Sequence, residues 1–134
     1  MPIKTRLETK GFSEYLERLA KAGRDIDAVS DEALAAGGEV LLNGMTTRVP
    51  KDRHDLENSL GIDGPHQDGN FHYIEVGVTK PVNDDVMRYG NVQEFGSSNT
   101  PAKPYIRPTL DGDMSKARAE MKRVFIQADV GIDK

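Results

Sequence analysis

The chain has no cysteine and no tryptophan, and its aromatic residues are limited to four tyrosines and four phenylalanines. Without cysteine there is no disulfide framework, no thiol nucleophile and no zinc site built on thiolates. Long apolar runs are missing too. No stretch approaches the roughly 18 residues that a membrane span needs, and the N-terminus MPIKTRLETK lacks the apolar segment of a signal peptide. The expectation is a protein made and kept in the cytoplasm, with no membrane partner. Hydrophobic residues make up 37% and the mean hydropathy is −0.59, which leaves little apolar surplus. An excess of positive charge is also lacking. A formal charge of −4 with dispersed Lys and Arg argues against specific nucleic-acid binding, because affinity for phosphate backbones comes from clustered cations.

The chemistry-bearing motifs are absent as well. There is no G-x-x-x-x-G-K-[ST], no G-x-G-x-x-G after a strand and no G-x-S-x-G elbow. His54, His66 and His72 have no second histidine at three- or four-residue spacing, so a metal site would require convergence from distant positions. They read as surface or loop residues. Asp63, Asp68, Asp111 and Asp113 lie near glycines, but their spacing does not match a 12-residue calcium loop and fits turn chemistry. The reading is therefore no catalytic residue, no cofactor and no metal.

What is present fits one α+β domain over residues 1–134. Ile3, Thr5, Leu7 and Thr9 alternate with charged residues as in a half-buried strand. After Gly11, Ser13 is the expected N-cap of an amphipathic helix ending near Gly23, with Phe12 stapled back onto its first turns. A longer helix is expected from Asp25 to Arg48, with a kink or restart at Ser30 or Asp31. Gly37, Gly38 and Gly44 each weaken it by roughly 1 kcal/mol relative to alanine, a cost that close approach of another backbone would offset. Val49-Pro50 ends it. An exposed charged loop follows, then a strand through Asp63 with Leu56, Leu60 and Ile62 on one face. Polar turns lead to a second strand over 71–79 whose core face is Ile74, Val76 and Val78. The two form an antiparallel hairpin. Residues 80–88 read as a loop. A helix from about Pro108 to Gln127 carries Met114, Ala117, Met121, Val124, Phe125 and Ala128 at helical spacing, and the tail from Asp129 to Lys134 frays. The architecture implied is an antiparallel sheet of three or four strands packed against the long helix and the C-terminal helix.

The most particular stretch is YGNVQEFGSSNTPAKPYIRPTLD, from Tyr89 to Asp111. Tyr89, Val92 and Phe95 recur every third residue, so a helical turn or twisted strand would bring them to a core. Pro101, Pro104 and Pro108 exclude regular structure between about 100 and 108. An ordered, extended arm is expected there, with Tyr105 and Ile106 as its anchors and Pro108 in the first turn of the next helix. Glu94 is the one carboxylate expected to be packed, either capping a backbone donor or pairing with Arg88 or Arg107.

Tyr89, Glu94-Phe95-Gly96, Pro104-Tyr105-Ile106-Arg107-Pro108 and Leu110 resemble the Y…EFGT…PF-x-RP-A-L signature of head–tail joining or tail-completion proteins of long-tailed bacteriophages and prophages. Ser97 replaces Thr, Tyr105 replaces Phe and Thr109 replaces Ala. A weaker match joins Pro50, Leu56, Ser59 and Leu60 to the family's P-x-x-T-G-x-L-x-x-S-I. There Arg53-His54 stands for Thr-Gly, and histidine tolerates a left-handed turn less readily than glycine. The resemblance covers roughly Gly11 to Phe125.

It implies a non-enzymatic structural protein of the virion, formed in the host cytoplasm and then located in the tail or neck. Such proteins work as rings, usually sixfold, while being monomers or small oligomers alone, and contact other tail or neck proteins. A head-to-tail ring needs two different complementary patches per subunit. Loops 49–55, 80–88 and 97–104 are the candidates to supply them, with Lys51, Arg53, Ser97 and Ser98 as contact residues. Two readings from other classes stand beside this one. The first is a small mobile-element hydrolase or toxin using Glu94, Arg107 and a histidine; the second is an adaptor for a host protein.

Overall fold

The computed structural model describes residues 4–51, 54–79 and 84–130. Ile3, Asp52, Arg53, the 80–83 part of the expected loop and the last four residues of the expected frayed tail lie outside them. The elements run β1 (Lys4–Glu8), α1 (Ser13–Lys21), α2 (Ile26–Arg48), α3 (His54–Asn58), β2 (Leu60–Asp68), β3 (Phe71–Val78), α4 (Asp84–Phe95) and α5 (Arg107–Val130). The strands form one antiparallel sheet in the order β1-β3-β2. The α+β class, the antiparallel sheet, the long helix and the C-terminal helix are as the patterning implied; the sheet packs on α2, and α5 packs chiefly on α2 and α1 and not directly on the sheet as expected.

Side-chain alternation explains the sheet's two faces. On β3, His72, Ile74, Val76 and Val78 point inward and are buried, whereas Tyr73 and Glu75 point outward. Leu7 pairs with Ile74 and Ile62 with Val76, which gives the three strands a common apolar face. That face meets α2. The Asp25 carboxylate accepts from the Ala28 amide at 3.1 Å and caps the helix, and Val49 ends it in an extended conformation just before Pro50.

The glycines of α2 let it sit between neighbours. A Cβ on Gly37 would fall 2.8 Å from Leu7 Cδ2 of β1, 2.9 Å from Met121 Cγ and 3.0 Å from the Ala117 carbonyl of α5, and one on Gly38 would fall 2.6 Å from Ile74 Cδ1. Bare backbone is what allows the sheet and α5 to approach the same helix. The packing recovered offsets the propensity that each glycine costs. At the far end of α5, Phe125 packs with Phe12 and Tyr15, with ring centroids 5.1 and 6.0 Å away.

Several local expectations are corrected. The N-cap of α1 is Phe12, with no side-chain cap, and Ser13 is the first helical residue. Burial of the Phe12 ring fixes the chain entry where a hydroxyl was expected to do so. α2 runs from Ile26 to Arg48 as one helix, with no restart at Ser30 or Asp31. Residues 54–58, read as the end of the charged loop at His54 and Asp55 and the start of a strand from Leu56, form α3: Leu56 and Leu60 are four apart, which suits a helical turn as well as one face of a strand. Its Leu56 is fully buried, and the Ser59 hydroxyl donates to the Asp55 carbonyl at 2.6 Å. His54 opens α3 and no non-glycine residue among those described has positive φ, so replacing the family's glycine imposes no left-handed strain there.

β2 begins only at Leu60 and continues through the expected turn at Asp63-Gly64-Pro65, with the Gly64–Pro65 peptide cis. A register shift between Asp63 and His66 absorbs that sequence as a bulge. Residues 84–88, read as loop, belong to α4, whose first turn carries Asp84 and Asp85 where the helix dipole favours them. α4 buries Val86, Gly90, Gln93 and Glu94, at helical spacing. The i, i+3, i+6 series drifts about 60° per step around a helix, so Phe95, expected in the core, is 46% exposed. His72, read as a surface or loop residue, is buried on the core face of β3, hydrogen-bonded through Nδ1 to Asp31 at 2.9 Å and through Nε2 to Asp27 at 3.0 Å. Asp129 and Val130 lie within α5, and Asp129 pairs with Arg18.

Candidate functional site

α4 ends at Gly96, whose amide donates to the Val92 carbonyl at 2.7 Å with φ at +78°. Only glycine suits that position: the backbone is left-handed, and a Cβ would lie 3.0 Å from the Ala102 amide nitrogen. The chain then doubles back. Ser97 Oγ accepts from the amides of Asn99 at 3.3 Å and Thr100 at 3.1 Å, forming a tight local turn. The Lys103 amide returns to the Gln93 carbonyl at 2.7 Å, which lays the arm alongside α4.

The arm is closed by Glu94. Its Oε1 accepts from the amides of Tyr105 at 2.8 Å and Ile106 at 2.7 Å, and its Oε2 from the amide of Arg107 at 3.0 Å. The Ile106 and Arg107 amides are donors that the start of α5 leaves without an intrahelical partner, and the Tyr105 amide is the last of the arm. A buried carboxylate at a helix N-terminus gains from the helix dipole and from three charge-assisted bonds, which offset its desolvation. Of the two roles expected for Glu94, capping is the observed one, and the Arg107 contact is through its backbone. Arg88 is 76% exposed and stands 3.9 Å from Asp85.

Tyr105 and Ile106 are the anchors expected. The Tyr105 ring is fully buried, its hydroxyl donates to the Gly90 carbonyl at 3.3 Å, and burial, followed by the charge of Glu94, pushes its pKa well above the ordinary value of 10. The Thr109 hydroxyl donates to the Tyr105 carbonyl at 2.7 Å and accepts from Arg48 at 3.1 Å, while Arg48 also binds Asp113 at 2.7 Å. Thus the end of α2, the arm and the start of α5 are tied together.

The signature residues fall into two groups. Gly96 and Tyr105 shape the backbone and the core, Pro108 lies in the first turn of α5, and Tyr89 packs at the core's edge. Glu94, Phe95, Pro104 and Arg107, with Ala102, line a surface cleft of about 220 Å³. No histidine lines it among the described residues, and both oxygens of Glu94 are engaged by amides. A hydrolytic trio of Glu94, Arg107 and a histidine is therefore not assembled. Among the candidate contact residues, Ser98 is exposed and Ser97 holds the turn. Lys51 is employed internally: its ammonium donates to the carbonyls of Thr46 and Val49 at the end of α2 and pairs with Glu57 at 3.4 Å. Arg53 lies outside the described residues.

One cluster was not legible in the sequence. Asp63, His66 and Glu75 converge on the outer face of the sheet, each offering a donor atom within 4.8 Å of the other two. The signal was the three-residue Asp63–His66 spacing around a glycine and a proline, but Glu75 enters only through the strand register.

A family model described as "Bacteriophage HK97-gp10, putative tail-component" matches residues 10–96. The match takes in α1, α2, the β2–β3 hairpin and α4 up to Gly96, and stops where the arm begins. It covers more than half of the chain, which belongs to this family of phage tail components. Neither a curated protein nor a solved structure matches the chain. No helix among the described residues is long and apolar enough to cross a membrane.

Proposed function

We propose that this chain is a non-enzymatic structural subunit that joins or completes the phage tail at the head–tail interface. Its copies, monomers or small oligomers alone, form a ring in the particle, with six as the expected number. Membership of the tail-component family over residues 10–96 is the observation that carries this reading. The geometry supports it: the arm is held by the backbone bonds of Gly96 to Val92 and Lys103 to Gln93 and by the Glu94 carboxylate on the Tyr105 amide, while Phe95, Ser98, Ala102 and Pro104 stay exposed. An ordered, outward-facing arm meets a neighbour at little entropic cost. The charged 49–55 segment, with Arg53 as its expected contact, is assigned the second patch that a head-to-tail ring requires. The remaining partners are other tail or neck proteins, with assembly in the host cytoplasm before incorporation into the virion.

Complementation tests the proposal. A lysate of the source phage or induced prophage with this gene deleted should accumulate unjoined heads and tails, and purified protein should restore joined particles. Arg53→Glu and Ser98→Trp should remain folded yet fail to restore joining. Tyr105→Ala should fail because it destabilises the fold. If the two surface variants lose folding as Tyr105→Ala does, or restore joining fully, the proposed contacts are wrong. If the deletion lysate contains normally joined particles, the head–tail role is wrong.

A further inference from the structure

The sheet face turned away from α2 carries a second arrangement that the tail-component reading does not use. In an unbroken strand, residues three apart point to opposite faces. Asp63 pairs with Glu75 but His66 pairs with Tyr73, so three steps along β2 match two along β3. This extra residue brings Asp63 and His66 to the same face as Glu75. Gly64 makes it possible: its φ is +124°, and a Cβ there would lie 3.2 Å from His66 Cδ2 and 3.1 Å from the Tyr73 carbonyl oxygen.

His66 Nε2 stands 3.2 Å from an Asp63 carboxylate oxygen. Two donors bound to one ion at about 2.1 Å each stand roughly 3.0–3.5 Å apart in tetrahedral or octahedral geometry, so this pair is already spaced for shared coordination. The imidazole is steadied by Tyr73, whose ring centroid is 5.2 Å away. Glu75 makes no hydrogen bond or ion pair among the described residues. Arg6, directly across from it on β1, is drawn off by Glu8 at 2.7 Å and Asp68 at 2.8 Å and lies over the Tyr73 ring at 3.6 Å. The carboxylate of Glu75 is thus left without the cation that its register position would supply.

We propose that Asp63, His66 and Glu75 form a site for one first-row divalent transition-metal ion of the zinc class. One imidazole nitrogen and two carboxylates suit such an ion. Magnesium and calcium favour all-oxygen shells, and copper(I) favours sulfur. Three protein donors leave at least one position open to water or to a group from a neighbouring molecule. An ion bound there would fasten the bulge of β2 to β3, and it would displace any proton that His66 shares with Asp63.

The test uses the full chain, stripped with chelator and titrated with ZnCl2 by calorimetry, with backbone amide NMR shifts recorded in parallel. One ion per chain is expected, with shifts concentrated in residues 61–76. His66→Gln, Asp63→Asn and Glu75→Gln should each weaken binding at least about tenfold, since losing a mere outer-shell contact to a metal ligand costs 10–100-fold. His54→Gln, outside the cluster, should leave binding unchanged, and MgCl2 should not compete. Non-saturating binding, undiminished affinity in any of the three cluster variants, or loss of binding in His54→Gln would overturn the site. NMR shifts away from the bulge would do so independently of any variant's fold.

Discussion

Glu94 and Glu75 carry the same carboxylate less than twenty residues apart, and the molecule treats them in opposite ways. Glu94 is buried, and three amide donors at the arm and the start of α5 converge on it. Glu75 faces outward on the sheet with no bonded partner among the described residues, and the arginine across from it is held elsewhere. A charge taken out of water persists only where polar partners offset its desolvation. Glu94 is therefore part of what fixes the fold. The Glu75 carboxylate makes no bond among the described residues that would fix the fold, which is the condition the proposed site requires.

The sharpest way to break this comparison is to remove both side chains in turn. Glu94→Ala strands three amides and should cost about 3 kcal/mol, read as a lower midpoint in urea unfolding. Glu75→Ala should stay within about 0.5 kcal/mol of the parent in the absence of metal. Equal losses would erase the distinction. Next in size, Gly37→Ala should destabilise by about 2 kcal/mol although alanine is the better helix former, because its methyl would press on Leu7, Met121 and the Ala117 carbonyl. A stabilised Gly37→Ala would show that α5 sits further from α2 than described. Tyr105→Phe should cost about 1 kcal/mol for the lost bond to Gly90.

The same tyrosine gives a smaller, pH-dependent effect. Its folded pKa is raised, so above the unfolded value near 10 the unfolded chain releases a proton that the folded one keeps. The Tyr105 contribution should be constant below about pH 10 and decline as pH rises beyond it. Tyr105→Phe should lessen that alkaline loss; an identical alkaline profile would mean the phenol is not buried as described.

How much of this was legible in the sequence differs by region for physical reasons. Long periodic segments such as α2 and α5, and the alternation in β1 and β3, announce themselves because their patterns repeat several times. The arm was legible because three prolines leave few conformations open, and Glu94 stood out as a carboxylate in a segment expected to pack. α3 failed because a single turn offers one four-residue repeat, which alternation mimics. The first turn of α4 failed because its helical signal lies in Asp84 and Asp85 at the dipole's positive end, with little apolar content. His72 was missed although it shares the parity of Ile74 and Val76. The Asp63–His66–Glu75 cluster depends on a one-residue register shift, and no local pattern encodes which residue of β3 stands opposite a bulge.

The central claim, that this tail-family chain works where the tail meets the neck, is tested most directly by electron microscopy of particles from the source phage or induced prophage carrying a gold-labelled C-terminal tag on this protein. The account predicts label at the upper end of the tail, on the axis, in nearly every joined particle. Label along the tail tube, at its distal tip, or absent from particles while the tagged protein is folded and expressed would contradict it.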